Sequence, residues 1–348
     1  MQLPTIDEKA LISFLSDLLN TPSPTGLAEP AIAFTEKAFV SIGGAETQRT
    51  HKGALLVSLP GQKNDAPRAI TAHADTLGAM VKEIKGSGRL SLTQIGGYAW
   101  NAVENEGCTV MTRKGEKVRG TILLTKASTH VHGAEVTKTE RSEDTMEVRL
   151  DAVVKTVDDV RKLGIEVGDF VALDPRVEVV NGFVRSRHLD DKACVACILA
   201  AVKTLAAVGL KPTQTTHIFI SNYEEVGHGA AAGIPADVHE LVAVDMAAVG
   251  AGQNSDEFHT TLCVKDSGGP YHHGLSNRLR DLAEEHGIDY KVDIYPHYGS
   301  DGEAWWGAGA NAAVALIGPG VDASHSYERT HLDALLATTR WVMAYLLS

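Results

Sequence analysis

The sequence predicts an α/β protein in which helices sandwich a mixed, largely parallel sheet, with a small β-rich domain inserted into it. The first observation is that, near both ends of the chain, short apolar runs typical of strands alternate with segments whose apolar residues have helical spacing. This alternation is typical of a sheet with helices on both faces. The second is that residues 82–175 carry short β-rich runs separated by glycines and charged turns. We therefore expect one discontinuous domain, 1–81 and 176–348, with 82–175 as the insert.

The N-terminal region contains the first predicted helices and strands. Apolar residues at helical spacing predict a helix over residues 7–20, and the cluster TPSPTG at 21–26 predicts a turn after it. A second helix is expected from 27 to about 42, where Gly43 and Gly44 provide a C-cap. Apolar runs at 54–59 and 69–72 predict two strands.

The insert is expected to contain strands at 117–125, 147–154 and 169–173 and a single helix at 157–163. After residue 184 the alternation of strands and helices returns. The predicted helices are 191–208, 273–286 and 332–347, and the predicted strands are 217–221, 241–244, 258–264 and 313–317. The segment Gly318-Pro319-Gly320 is expected to form a turn after the last strand.

The composition is that of an ordinary globular protein, with 44% hydrophobic and 22% charged residues among 348. The formal net charge is -12 and no run of lysine or arginine occurs, so we expect no nucleic-acid partner. The N-terminus lacks a basic segment followed by an apolar one, which argues against a signal peptide. The apolar stretch 193–210 is interrupted by Lys203, and we interpret it as a buried helix, so no membrane partner is expected.

Four cysteines are too few to indicate a disulfide scaffold. Cys194 and Cys197 form a C-x-x-C motif, but no second pair follows at the spacing of a zinc site. On a helix both side chains would lie on the buried face, so packing explains them better than redox chemistry. We therefore expect a cytoplasmic protein.

Polar side chains follow several predicted strands at the point where each strand ends. Taken singly they have simpler explanations, such as a helix N-cap for an aspartate at a helix start or a solvated Glu-Glu pair. Functional residues collect at the carboxyl ends of strands in such sheets, so their joint occurrence predicts one site. These residues are His73, Asp75, Asp190, Glu224, Glu225, Asp245 and His325.

Such a set of residues suits a pair of metal ions. Two histidines, two aspartates and a glutamate can surround two divalent cations, with one carboxylate bridging them, and zinc or cobalt is expected. Two cations polarise a bound water, and a nearby carboxylate can take its proton and pass it to a leaving group. Asp75 lies two residues from His73 and would face the same way on an extended chain, so it could accept the other imidazole N–H.

The motifs occur in series along essentially the whole chain. They are His73-Ala-Asp75-Thr-Leu-Gly78, His188-Leu-Asp190-Asp191-Lys192, Tyr223-Glu224-Glu225-Val-Gly227, Val244-Asp245, Gly299-Ser-Asp301 and Ser324-His325-Ser326-Tyr-Glu328. In this order they resemble the M42 family of metallo-aminopeptidases, which includes the glutamyl aminopeptidases and the tetrahedral TET peptidases. The resemblance implies a sheet of the zinc-exopeptidase type and hydrolysis of the N-terminal residue of peptides.

Carried over by position, the resemblance implies that Asp190 bridges two metal ions per subunit. His73 and Asp245 would complete one metal site, and Glu225 and His325 the other.

The same resemblance makes Glu224 the general base and lets Asp75 orient His73. It matches the insert to an accessory domain that shapes access and assembly. It also implies peptide substrates and a homo-oligomer, from a dimer to a twelve-subunit shell.

Three other functions remain as alternatives: a related di-metal amidohydrolase or deacylase acting on non-peptide N-acyl substrates, a glycosidase, and a non-catalytic binding protein. In the related M20 enzymes the bridging aspartate soon follows the H-x-D motif. Here Asp190 lies 115 positions after Asp75 and only 34 before Glu224, so the insert precedes the bridging aspartate, as in M42. A glycosidase needs two carboxylates but no histidines at metal-ligand positions, and a scaffold would not need Glu224.

Overall fold

The computed structural model describes residues 2–348, which form two compact units. The larger unit comprises the residues up to Asp75 and Arg176–Ser348, and the smaller unit is Thr76–Pro175. The smaller unit thus begins at residue 76 rather than at 82, because Gly78–Ile84 forms one of its strands.

The larger unit opens with two helices and three strands. Asp7 caps the first helix, and its carboxylate accepts the backbone N–H of Ala10 at 3.0 Å. The second helix has a proline in its first turn, where the missing N–H costs no hydrogen bond. These elements are α1 (Glu8–Leu19), α2 (Glu29–Val40), β1 (Glu46–Arg49), β2 (Leu55–Leu59) and β3 (Lys63–His73).

The smaller unit is a closed β-barrel with the strand order β4-β5-β8-β7-β6-β9. Burial alternates along its strands, as in β6, where Cys108 and Val110 are buried. Two one-turn helices that the sequence analysis did not predict join the predicted one. The elements are β4 (Gly78–Ile84), β5 (Leu90–Ile95), β6 (Gly107–Met111), β7 (Lys117–Leu124), α3 (Thr129–His132), α4 (Glu135–Lys138), β8 (Met146–Leu150), α5 (Val157–Lys162) and β9 (Phe170–Leu173).

The chain then returns to the larger unit. Each helix and strand predicted after residue 184 is present, with ends that move by a few residues, whereas α8 and several short strands were not predicted. The elements are β10 (Glu178–Val180), β11 (Phe183–Ser186), α6 (Leu189–Ala207), β12 (Gln214–Ser221), β13 (Glu240–Val244), β14 (Ala247–Val249), β15 (Thr260–Lys265), α7 (His273–Glu285), β16 (Tyr290–Ile294), α8 (Asp301–Gly307), β17 (Ala313–Asp322), β18 (Glu328–His331) and α9 (Leu332–Leu347).

A sheet of twelve strands organises the larger unit. Its main path is β1-β2-β12-β3-β13-β17-β18-β11-β10, and β14 and β15 also pair with β17. The central strands β12, β3, β13 and β17 are parallel, while β2 is antiparallel to β12 and β15 is antiparallel to β17. The predicted mixed, largely parallel sheet is confirmed.

Both faces of the sheet are covered, because successive side chains on a strand point to opposite sides. Ile70 and Ala72 of β3 belong to a core cluster that includes residues of α2, α6, α7 and α9. Ala69 belongs to a second cluster with Phe219 and with Trp305 of α8. The helices therefore enclose the sheet from two sides, as expected.

Helix α6 contains most of the apolar stretch of the sequence, and 14 of its 19 residues are buried. Cys194 and Cys197 lie in it as free, buried thiols, and Cys108 and Cys263 are likewise free and buried. Among residues 2–348, no helix combines the length and the apolar character needed to cross a membrane.

The predicted turn at Gly318-Pro319-Gly320 is wrong, because these residues lie inside β17. Pro319 pairs with Thr260 in the antiparallel ladder to β15. A Cβ at Gly318 would overlap the carbonyl oxygen of Asp245, and one at Gly320 would overlap the carbonyl of Asp256. The glycines therefore let neighbouring backbone approach the strand, which is a common reason for glycine within a strand.

We expect Ile70→Ala to lower the free energy of unfolding by about 2–5 kcal/mol, because the fully buried side chain leaves a cavity between the sheet and its helices. Chemical denaturation followed by circular dichroism measures the change. The control Val40→Ala removes an exposed side chain from α2 and should alter stability by no more than about 0.5 kcal/mol. Equal effects of the two substitutions would contradict this view of the core.

Candidate metal centre

The structure brings all seven predicted site residues to one edge of the sheet in the larger unit. Because β3 and β12 are parallel and in register, His73 lies opposite Ser221, so the residues that follow the two strands converge. The positions are His73 at the end of β3, Asp75 two residues later, Glu224 and Glu225 in a 3₁₀ turn after β12, Asp245 after β13, Asp190 at the start of α6 and His325 between β17 and β18.

Five of these residues form two groups of potential ligands, and Asp190 belongs to both. In the first group, Nε2 of His73 lies 3.1 Å from Oδ1 of Asp190, and Asp245 completes the set. In the second, Nε2 of His325 lies 3.3 Å from Oδ2 of Asp190 and 3.6 Å from Oε2 of Glu225. Each carboxylate oxygen of Asp190 thus faces a different histidine.

These spacings fit divalent cations. Nitrogen and oxygen ligands about 2.0–2.2 Å from a tetrahedral zinc ion stand about 3.4 Å apart, and the ligand atoms in each group lie within 4.8 Å of one another. The donor set contains only imidazole nitrogens and carboxylate oxygens, which suits zinc and the neighbouring transition metals. The residues present therefore fit the metal that the sequence predicts.

The hydrogen bonds of His73 leave one ring nitrogen free to bind a metal. Its Nδ1 lies 3.0 Å from the backbone carbonyl of Asp75, and a carbonyl only accepts, so Nδ1 carries the proton. Nε2 is directed at Asp190, and it is the nitrogen that would give its lone pair to a cation bound between the two side chains.

Asp75 acts differently from the sequence-based expectation. Its carbonyl, not its carboxylate, is the acceptor for His73, and the nearest carboxylate oxygen is 3.6 Å from Nδ1. The carboxylate instead accepts the hydroxyl of Thr25 at 2.7 Å and the backbone N–H groups of Glu224 and Glu225 at 3.3 and 3.4 Å. Asp75 therefore fixes the turn that carries both glutamates.

Asp190 is not a helix N-cap. The N-cap position of α6 is His188, no side-chain cap hydrogen bond forms there, and the φ/ψ angles of Asp190 and Asp191 are not helical. This leaves the Asp190 carboxylate free to face the two histidines.

Glu328 was part of a motif but received no role from the sequence. Its side chain is fully buried, and its two oxygens accept the backbone N–H groups of Asp190 and His325, each at 3.1 Å. His325 has a φ of 62°, a left-handed conformation that costs energy for a non-glycine residue. The Glu328 carboxylate holds this turn and the start of α6 together.

Asp191 and Lys192 are two further buried charged residues that the sequence left without a role. Asp191 accepts the backbone N–H of His73 at 3.1 Å. Lys192 is fully buried and donates to the carbonyl of Thr21 at 2.7 Å. The segment predicted as a turn at 21–26 thus packs against the centre, where Ser23 also donates to the carbonyl of Ala74.

The centre concentrates negative charge. Burial together with the charge of Asp190 raises the pKa of Asp245 to about 7 and that of Glu225 to about 8. Burial opposes ionisation of Asp190 too, but hydrogen bonds with His325 and His73 hold its pKa below the usual value. Bound cations would favour the ionised form of every one of these carboxylates.

A cavity of about 500 Å³ opens onto the centre. Asp190, Glu224, Glu225, Asp245 and His325 line it. The side chain of Glu224 is 15% exposed, and its Oε2 lies 3.6 Å from Nε2 of His73, so this carboxylate can reach both the centre and a molecule in the cavity.

The family model of M42 glutamyl aminopeptidases matches residues 53–340. The chain belongs to the M42 peptidase family. It is a hydrolase of peptide bonds, as the resemblance in sequence predicted. The chain is 46% identical over 338 residues to the Bacillus subtilis protein named "Putative aminopeptidase YhfE", an alignment that covers 97% of each chain.

Solved structures share the fold of this M42 peptidase. The aminopeptidase APDkam598 from the archaeon Desulfurococcus kamchatkensis superposes with a TM-score of 0.87 at 21% identity, over 97% of this chain and 95% of that chain. The TET1 peptidase of Pyrococcus horikoshii, described as able to assemble into a tetrahedron or a large octahedral shell, has a TM-score of 0.85 at 21% identity, over 97% and 99%.

We expect Gly318→Ala to weaken the binding of divalent cations at least tenfold, because the new methyl group displaces the backbone of Asp245. Titration calorimetry of chelator-stripped protein with Zn²⁺ measures the affinity. The control is Gly250→Ala, where a Cβ meets no atom within 4 Å. Unchanged zinc affinity in the Gly318 variant would show that Asp245 is not held by this contact.

Proposed function

We propose that this M42 peptidase is an aminopeptidase that removes the N-terminal residue of peptides with the help of two divalent cations. The observation that carries the proposal is the pair of ligand groups that share Asp190. A single shared carboxylate with one histidine facing each of its oxygens is an arrangement that can hold a bridged pair of cations.

In this proposal Asp190 bridges the ions, His73 and Asp245 complete one site, and Glu225 and His325 complete the other. Zinc or cobalt suits the mixed nitrogen and oxygen donors. When bound, such cations would polarise the scissile carbonyl and make the attacking water more acidic.

Glu224 is the general base in this proposal. Glu224 lines the cavity and belongs to neither ligand group, whereas the neighbouring Glu225 belongs to one of them. Burial raises the pKa of Glu224 well above its usual value, and the negative charges of Asp245 and Asp301 add to that rise. A carboxyl whose pKa lies closer to neutrality can take a proton from water and return it to the leaving amine.

Asp75 and Glu328 are positioning residues for this reaction. Asp75 fixes the backbone N–H groups of Glu224 and Glu225. Its carbonyl also sets the tautomer of His73. Because these hydrogen bonds already fix the backbone of the base, Glu224 loses little conformational entropy when it binds the attacking water.

A free amino group on the substrate is favoured by the charge of the cavity. Five carboxylates line it and can pair with an ammonium group or direct an amine to a cation. The alternative substrates, N-acylated amides, lack this charge. The rates of hydrolysis of aminoacyl amides and of their N-acetylated forms distinguish an aminopeptidase from a hydrolase of N-acyl substrates. Hydrolysis of the acetylated forms alone would overturn the aminopeptidase proposal.

We also propose that the chain forms a homo-oligomer and that the barrel unit, 76–175, contributes to assembly. The support is the likeness in fold to the TET1 peptidase, which can assemble into a tetrahedron or a large octahedral shell.

We expect Glu224→Gln to lower kcat by two orders of magnitude or more while the protein still binds its metal, since the amide cannot accept the proton of the water. Turnover is measured on aminoacyl-coumarin amides, and metal content by mass spectrometry of the dialysed protein. The matched variant Glu225→Gln should instead lose metal, because it removes a proposed ligand. Near-normal turnover of the Glu224 variant would show that another group is the base.

A further inference from the structure

The wall of the cavity away from the metal centre carries one carboxylate side chain. Apart from the site residues, Met246, Ala248, Tyr298, Ser300 and Glu303 are among those that line it. None of the described residues that line the cavity is a lysine or an arginine. Glu303 therefore carries the only carboxylate on that wall, which also includes His297.

The backbone fixes the position of Glu303. It lies in the first turn of α8, whose N-cap Ser300 also lines the cavity. A Cβ at Gly268 would overlap the Glu303 carboxylate, so the carboxylate occupies space that the absent side chain leaves. Its position follows from the helix start and from close contact with the backbone at Gly268.

No basic side chain of the described residues forms an ion pair with Glu303. The base whose charge acts on Glu303 is Lys265, whose ammonium group donates to the backbone carbonyl of Asp266 at 2.7 Å. Asp266 is a second, fully buried acid behind Glu303, and its oxygens accept the hydroxyl of Tyr271 and the backbone N–H of Gly268. Burial, the charge of Asp266 and a hydrogen bond between the two carboxyl groups raise the pKa of Glu303, and the charge of Lys265 partly offsets the rise. A cation placed beside this pair of acids would favour their ionised form.

The loaded centre does not supply that counter-ion. The four positive charges of two divalent cations match the four carboxylates at the centre, those of Asp190, Glu224, Glu225 and Asp245. This count rests on the proposed function. The carboxylate of Glu303 then remains as the net charge of the cavity and favours a cation beside it.

We propose that the cavity takes a cationic side chain on the N-terminal residue of the substrate, lysine or arginine, with Glu303 as its counter-ion. Tyr298 supports this choice, because it lines the cavity and its hydroxyl is already occupied, donating to the carbonyl of Met246 at 2.8 Å. The aliphatic part of a long basic side chain can pack on such a ring while its charged end meets a carboxylate. A glutamyl side chain would face like charge without a basic partner, although the family description refers to glutamyl substrates.

The test is the ratio of kcat/KM for the lysyl and leucyl aminomethylcoumarin amides, measured with the metal-loaded full chain. Both substrates are hydrolysed at the same centre, so damage to the centre lowers both kcat/KM values by the same factor and does not change their ratio. We expect the lysyl and arginyl amides to exceed the glutamyl amide at least a hundredfold. Glu303→Gln should reduce the lysyl-to-leucyl ratio about tenfold, the effect of losing one partly buried charge pair.

Two further variants complete the experiment. Glu285→Gln makes the same chemical change at an exposed position of α7 and should leave the ratio as it is in the unmodified chain. Glu303→Lys should reverse the preference towards the glutamyl amide. An unchanged ratio in Glu303→Gln would overturn this inference while the proposed function stands, whereas failure to hydrolyse any aminoacyl amide would overturn the proposed function itself.

Discussion

Asp190 presents one carboxylate oxygen to His73 and the other to His325, and the rest of the site is arranged around these two contacts. A buried carboxylate keeps such a position only if its backbone is fixed and its charge is compensated. Glu328 fixes the backbone by accepting the N–H groups of Asp190 and His325. The cations that we propose would compensate the charge, and without them Asp245 and Glu225 face the same negative neighbour.

The sheet explains how ligands from distant parts of the chain come together. The central strands are parallel and in register, so their carboxyl ends lie at one edge of the sheet. The residues that follow β3, β12 and β13 therefore meet at that edge. Glycine inside β17 then lets that strand approach the carbonyl of Asp245. Further acids, among them Asp75 and Asp191, accept backbone N–H groups and so fix the loops that carry the ligands.

The sequence was sufficient for the alternation of strands and helices and for the convergence of the seven site residues, since both follow from periodicity and from the ends of parallel strands. It was insufficient where a role depends on contacts across the chain. Asp75 was expected to bind His73 through its carboxylate, but that group meets the Glu224–Glu225 turn, and only the folded backbone brings them together. Glu328 had no role for the same reason. Gly318-Pro319-Gly320 has the composition of a turn, and its place in β17 depends on the backbone packed beside it.

The most direct test of the shared-carboxylate centre is a crystal structure of the zinc-loaded chain with anomalous diffraction data collected at the zinc edge. We predict two peaks, one beside His73 and Asp245 and the other beside Glu225 and His325, with the Asp190 carboxylate between them. A single peak, or two peaks of which only one contacts Asp190, would contradict the account.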